Sequence, residues 1–430
     1  MTGLRTGRCA VRVRRQLVAG WVAVCEAIWL TARRTVHNNY SHCKCIFSEG
    51  LLNKRTKSMQ AAFPVTQLPT APSRGSGSAS WSLQSWSGVE EMEAVIRSLA
   101  LPLQLLQLDG GHLAGGVVAI RIGPLRLLQL RMDRRIHSWG PKPLGDLTIG
   151  LDLEPAGDRP PIRAHGSCLP ESCLFGLDSG REVHLTLPKE VVLGLVVIPI
   201  DTLCNWADQL GCGGFDLQGA CRRNLLLVDP LRCEGLRAYL RQIFSLVASD
   251  PGRLEQPLSQ KLILEDLLPL LLEALIHGAD QVGRLLRPPA RIEIVKAAQQ
   301  WLDDHPQQPI TLADLCLQAH ASRRSLIQGF RDHLGMGPMA FVKLQRLHSV
   351  RRLLLGADPD QVRIGSIAAA WGFLNAGHFA RDYRLLFGEM PRDTLRHRTP
   401  PSRTAAALPP LIRIPGRPPP AAPGSPGRSG

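Results

Sequence analysis

"GFLNAGHFARDYRLLFGEMP", residues 372–391, places Phe379, Tyr383 and Phe387 at helical spacing, so one face of this segment is built for burial. Asn375 stands where an N-cap belongs, and Gly388 with Pro391 just beyond it closes the helix. The opposite face opens with Ala376, Gly377 and His378 and continues with Arg381 and Arg384. Small residues at a helix tip, followed by cations, suit the close approach of something large and anionic.

Upstream, "ITLADLCLQAHASRRSLIQGFRDHLG" (310–335) repeats the design. A helix with Leu312, Leu315 and Cys316 inward breaks at Ala319-His320-Ala321, and Ser322 caps a second helix with Leu326, Phe330 and Leu334 inward. Two short helices joined by so tight a break form a helix-turn-helix. A long helix follows from Pro338 to about Leu355; then "IGSIAAAWGF" (364–373) supplies a second supporting helix before Asn375. The expectation is two helix-turn-helix units about fifty residues apart, joined by one continuous helix, with a further amphipathic helix, Ile292–Asp304, in front.

This doubled pattern resembles the DNA-binding domain of AraC-type (AraC/XylS family) transcription regulators. The landmarks occur in order: Ala313, Ser322, Leu326, Phe330, Gly335, Pro338, Arg346-Leu347, Ile367-Ala368, Gly372-Phe373, Phe379, Arg381, Phe387-Gly388, Pro391 and Arg396. The resemblance covers about 110 of the 430 residues. It implies that both second helices enter successive major-groove segments of double-stranded DNA, and that the protein is a sequence-specific regulator, an activator. By position it puts Arg324, Ile327 and Gln328 of the first reading helix at the groove, and Ala376, Gly377 and Arg381 of the second. Arginine is bidentate to guanine O6/N7 and glutamine suits adenine, so Arg324, Arg381 and Gln328 are the expected base contacts. Arg323, Arg331, Asn375 and His378 are expected to hold phosphates or cap helices, and Arg384 to hold a phosphate. Two departures stand out. Ile327 replaces the family's usual polar side chain and can offer only apolar contact. Gly329, inside the first reading helix, costs about 1 kcal/mol relative to Ala and marks that unit as the softer reader.

The charge distribution agrees. The net charge of +15 divides into +9 over residues 1–58, −3 over 59–287, +5 over 288–398 and +4 over 399–430. A basic C-terminal part beside a near-neutral middle points to a polyanion partner. Eleven cysteines include one Cys43-Lys44-Cys45 and no CxxC pair, which fits reduced, buried thiols in a cytoplasmic protein rather than a zinc site. The run Leu267–Ile276 is too short for a membrane span and contains Glu273. Residues 11–30 imitate a signal peptide, but Glu26 interrupts the apolar part and no small-residue cleavage site follows. Residues 1–58 are expected to have no fold, with Met59 as the genuine start.

The expected organisation is α+β. Residues 1–88 form a disordered or extraneous extension whose 59–88 part is a Pro/Ser/Gly-rich lead-in. Residues 89–211 form a β-rich, cupin-like sensor domain, 212–287 a helical linker or dimerisation region, 288–398 the all-α DNA-binding domain after Pro288-Pro289, and 399–430 a disordered, proline-rich tail. In the middle, "LTIGLDLE" (147–154) alternates as a half-buried strand, "VVAIRIGPLRLLQLRM" (117–132) reads as two strands turned at Gly123-Pro124, and "VVLGLVVIPI" (191–200) as a strand buried on both faces. Asp201 is the expected cap of a helix running to about Leu210, and the apolar Leu258–Ile276 helix is a dimer candidate.

The alternative from another class is a cupin-type metalloenzyme with an appended DNA-binding module. It needs convergent histidines and a carboxylate, whereas His112, His137, His165 and His184 are isolated in sequence, with no HxH or HxxxE. No catalytic motif is recognisable, so no cofactor is expected and the protein is read as a non-enzyme. RNA polymerase, an unidentified small-molecule effector and a second copy of the chain stand beside DNA as candidate partners, with no membrane among them.

Overall fold

The computed structural model describes residues 80–396 except 144, 156, 213–215, 217, 218, 221 and 281–290. The expectations for residues 1–58, Met59, the 399–430 tail and the Pro288-Pro289 boundary therefore lie outside the described residues.

The β-rich region contains two antiparallel sheets. One runs in the order β1-β3-β4-β11-β6-β9-β12, the other β2-β5-β10-β7-β8. In chain order the strands are β1 (Ser80–Ser87), β2 (Gln104–Gln107), β3 (Ala114–Ile122), β4 (Leu125–Met132), β5 (Ile136–Gly140), β6 (Asp146–Asp152), β7 (Arg163–Ala164), β8 (Ser167–Cys168), β9 (Cys173–Phe175), β10 (Val183–Leu187), β11 (Val191–Pro199) and β12 (Leu225–Leu227). Helices α1 (Val89–Ser98), α2 (Ile200–Gln209), α3 (Pro230–Ser249), α4 (Gly252–Glu255) and α5 (Pro257–Asp280) surround them.

Strand β11 shows why a continuous apolar run was needed. Val192, Val196 and Ile198 face a core shared with α3 and α5, while Val191 and Leu193 face the interior between the two sheets. Both faces are dry, so alternation disappears. The turn at Gly123-Pro124 joins β3 to β4 as expected, and Leu147, Ile149 and Leu151 form the buried stripe of β6.

Three expectations need correction. Ser80–Ser87 is not lead-in but the edge strand β1, paired with β3 from Ser87↔Ala114 to Ser80↔Arg121. Its serines hide a period-two strand anchored by the buried Trp86. The helices of 212–287 are not a separate linker: Leu236, Leu240 and Ile243 of α3 and Leu267, Leu271 and Leu275 of α5 share one core with the seven-stranded sheet. Leu258 and Leu262, at the start of the same helix, stay exposed. Finally, β11 runs directly into α2 at Pro199, so Asp201 lies in the first turn and makes no cap hydrogen bond.

The helical region comprises α6 (Ile292–Asp304), α7 (Leu312–Gln318), α8 (Arg323–Leu334), α9 (Pro338–Gly356), α10 (Ile364–Ala370), α11 (Ala376–Phe387) and α12 (Pro391–Arg396). It packs directly on the β-rich region, since Leu106 and Leu108 join the core formed by α6, α8 and α9. No described helix is long and apolar enough to cross a membrane.

Candidate DNA interface

The two helix-turn-helix units are α7–α8 and α10–α11. In the first, Thr311 and Asp314 form a reciprocal capping box that starts α7. His320 turns the chain at φ 48°, and Ser322 Oγ accepts from Ser325 N at 3.1 Å to start α8. In the second, Gly372 makes the turn at φ 83°, and Asn375 Oδ1 accepts from His378 N at 2.9 Å to start α11. Both reading helices have 12 residues and end on a left-handed glycine, Gly335 at φ 76° and Gly388 at φ 77°. Their inward stripes are fully covered: Leu326, Phe330 and Leu334 in one, Phe379, Tyr383 and Phe387 in the other. Tyr383 also donates its hydroxyl to Thr394 Oγ1 at 2.8 Å, which satisfies a buried polar group.

Helix α9 fixes the separation. Its front half contributes Phe341 and Val342 to the first unit's core, and its back half contributes Leu347, Val350 and Leu354 to the second's. Nineteen residues at ~1.5 Å rise span roughly 28 Å, close to the ~34 Å between successive major-groove segments on one face of B-DNA.

The residues expected at the groove fall on the exposed sides of the reading helices. Arg323, Arg324, Gln328 and Arg331 are exposed on α8, while Ile327 is half-buried. Asn375, Ala376, Gly377, His378, Arg381 and Arg384 are exposed around α11. Arg381 points away from the buried Phe379, its side chain 66% exposed and only 3.9 Å from Asp382, which is itself held by Lys343 at 2.5 Å. Asn375 spends its side chain on the cap. Gln328 Nε2 donates to Asp332 Oδ1 at 2.6 Å, so reaching a base requires it to leave that carboxylate.

Sequence reasoning missed how Gly329 is used. A Cβ there would lie 3.1 Å from Val295 Cγ2 and 3.3 Å from the Arg291 carbonyl, so the missing side chain lets α8 pack closely on α6. The glycine marks a tight helix contact.

Also missed was the seat beneath both reading helices. The loop between β2 and β3 receives the end of α11: Gly111 N donates to the Leu385 and Leu386 carbonyls at 3.1 and 3.0 Å, and Gln107 Nε2 donates to Leu386 O at 3.0 Å. A Cβ at Gly110 would fall 2.4 Å from the Leu385 carbonyl, so only glycine permits this approach. Arg135, just before β5, donates to the Leu334 carbonyl at the end of α8 at 3.2 Å. Orphan carbonyls at helix ends need such donors. On α9, Arg351 is buried between Glu90 of α1 and Glu389, at 3.0 and 2.5 Å, and Arg352 pairs with Glu93 at 2.9 Å. His348 Nε2 donates to the Gln107 carbonyl at 3.2 Å.

Three histidines that looked isolated converge at this interface. The His137 ring lies 4.7 Å from that of His184, which lies 6.1 Å from that of His165. Gln299 of α6 donates to His137 Nε2 at 3.0 Å and accepts from His184 Nε2 at 2.9 Å. Burial keeps them neutral, holding His184 down at about 4, His165 at about 3 and His137 well below its usual value. His137 Nε2 and His184 Nε2 are thus both turned to the Gln299 amide, and among the described residues no group of three or more His, Cys, Asp or Glu is placed to hold a metal. Behind them, between the sheets, lies a partly open apolar cavity of about 70 Å³, lined by Met92, Leu105, Phe175 and Leu193 with His165, His184 and Lys142. Burial lowers Lys142 to about 8, and its Nζ donates to the Gly176 and Asp178 carbonyls and to Asn224 Oδ1 at 2.9, 2.6 and 3.2 Å.

Comparison with known proteins agrees with this geometry. Residues 315–397 match a family described as a helix-turn-helix domain. The XylDLEGF operon transcriptional activator 2 of Pseudomonas putida is 34% identical over 125 residues, 29% of this chain and 77% of that protein. The chain belongs to the AraC/XylS family of transcription regulators. Another relative, the "Probable thc operon regulatory protein" of Rhodococcus erythropolis, is 38% identical over 192 residues, 42% of this chain; the match spans 57% of that relative's length. Among solved structures, "a probable AraC family transcriptional regulator from Rhodopseudomonas palustris CGA009" is 37% identical, covering 25% of this chain and 98% of that one, with a TM-score of 0.23. Nothing in these relatives supports the metalloenzyme alternative.

Proposed function

We propose that this AraC/XylS-type chain regulates transcription, as an activator, by reading two successive major-groove segments with α8 and α11. The observation that carries this is the pairing of two equal-length, equally capped helices with exposed fronts on one connecting helix. Arg324 and Arg381 are the base-reading cations, since each is exposed on the side opposite its helix's buried stripe. Gln328 joins them once it releases Asp332. Arg323, Arg331, His378 and Arg384 serve the phosphates and fix register without reading sequence.

The β-rich region is the sensor in this reading. Its cavity touches His165 and His184, and Gln299 ties His184 to the first helix of the DNA-binding half. Occupancy of the cavity would thus be felt at α6. At about 70 Å³ the cavity is smaller than the ~150 Å³ that accepts benzene, so an effector enters only if the walls move. RNA polymerase is the further partner that activation requires.

The test is selection of binding sites from random duplexes by the full chain, followed by competition against unselected duplex at fixed salt. Specific recognition predicts a preference of ~10³-fold or more. Equal affinity for both duplexes would reduce the protein to a non-specific DNA binder.

A further inference from the structure

The two units are nearly in register, and the place where they are not is informative. Leu326, Phe330, Leu334 and Gly335 of the first correspond to Phe379, Tyr383, Phe387 and Gly388 of the second, a constant offset of 53. Before the reading helices the offset is 52. Ala321 N donates to the Cys316 carbonyl at 3.0 Å, and Phe373 N donates to the Ala368 carbonyl at 2.9 Å. Between Phe373 and the cap Asn375 the second turn therefore holds one extra residue, Leu374. It is 90% exposed, the most exposed of the large hydrophobic side chains among the described residues.

Resting on the DNA-binding reading above, we propose that Leu374 is a specificity-determining residue of the second reading head, packing on the C5-methyl group of a thymine. With His378 assigned to a phosphate, the first two positions of α11 present no side chain that can hydrogen-bond to a base. Asn375 is occupied by the cap, and Ala376 and Gly377 offer no polar side chain. A Cβ added at Gly377 would meet nothing but Asn375 Oδ1, at 3.4 Å, so the space before the tip is open and a groove floor can come close. The apolar feature of a major groove is the thymine methyl. Leu374 stands at the same end of α11, one residue ahead of its cap, where none of the described residues covers it. Reading at this tip is by apolar contact; Arg381, further along the helix, supplies the polar contact.

The experiment uses the full chain and a duplex selected by it. Each thymine of the second half-site is replaced singly by deoxyuridine, which removes the methyl and keeps the pairing edge. Wild type should lose about fourfold in affinity at one position, the worth of one buried methyl group. Leu374→Ala, a surface change that leaves the fold intact, should bind the thymine and deoxyuridine duplexes equally well at that position. It should match wild type at the others. Selected duplexes with no deoxyuridine-sensitive position, or a penalty that persists in Leu374→Ala, would overturn the assignment while leaving DNA recognition standing. Failure to select any sequence would overturn both. If Leu374→Ala keeps the full deoxyuridine penalty but loses transcriptional activation, the side chain faces a protein, and the inference is also wrong.

Discussion

Arg381 and Arg384 sit one turn apart on the same helix, yet their chemistry at DNA should differ. Arg381 lies within two turns of the Asn375 cap and opposite Phe379, where the proposed binding mode puts the deepest groove penetration; Arg384 is a turn further back, also exposed. Arg381→Ala should cost about 1–3 kcal/mol at the selected site and relax preference at one base pair. Arg384→Ala should weaken selected and random duplexes alike and make the salt dependence shallower by about one unit. Neither is a core residue, so thermal melting should stay put in both. Competition over single-base variants separates the two roles. If Arg381→Ala keeps its full discrimination, the second head has been misassigned. These positions were legible because helical spacing alone says which side of Phe379 faces out. Gly329 was not, because its reason is Val295, thirty-four positions away and brought close only by packing.

Between the elements, buried ion pairs and hydrogen bonds join α9 and α6 to the β-rich region. The Arg351 side chain is 7% exposed and bridges Glu90 and Glu389. Burial raises the Glu90 carboxyl pKa against the pull of Arg351. Arg351→Ala removes the cation hydrogen-bonded to both carboxylates and should destabilise the chain by roughly 3–5 kcal/mol, seen as a lower denaturation midpoint. An unchanged midpoint would mean that the pair is idle. The histidine cluster makes a second prediction. His165 and His184 titrate at about 3 and about 4 when folded, against about 6.5 when unfolded. The unfolded chain therefore takes up protons first as pH falls. Stability is full above about pH 6.5 and declines below it, by about 1.4 kcal/mol per pH unit for each such histidine, until the folded values are reached. His184→Gln should flatten that slope in melting temperatures taken between pH 7 and 4.5. An equally steep slope would remove His184 from the account. Spacing could not reveal this cluster: β5, β7 and β10 bring His137, His165 and His184 together only through strand pairing.

For the molecule as a whole, legibility followed the range of the interactions. The helical half, with its two units and connecting helix, could be read from caps, glycines and a 3.6-residue period, all local signals. Strand pairs joined by a tight turn, such as β3–β4, were readable for the same reason. What escaped notice depends on distant partners: β1 among its serines, the packing of α3 and α5 on the sheet, and the seat formed by Gln107, Gly110, Gly111 and Arg135 under both reading helices. That seat bears on function, because it grips the ends of α8 and α11 from one region and so constrains their spacing together with α9. The central claim is that these helices read one face of DNA in succession. Chemical interference footprinting of the full chain on a selected duplex tests it most directly. The account predicts two major-groove segments about one helical turn apart, roughly 10–10.5 base pairs, on the same face, with Arg324→Ala losing interference at one base pair of one segment and Arg381→Ala at one base pair of the other. A single protected segment, or two on opposite faces of the duplex, would contradict it.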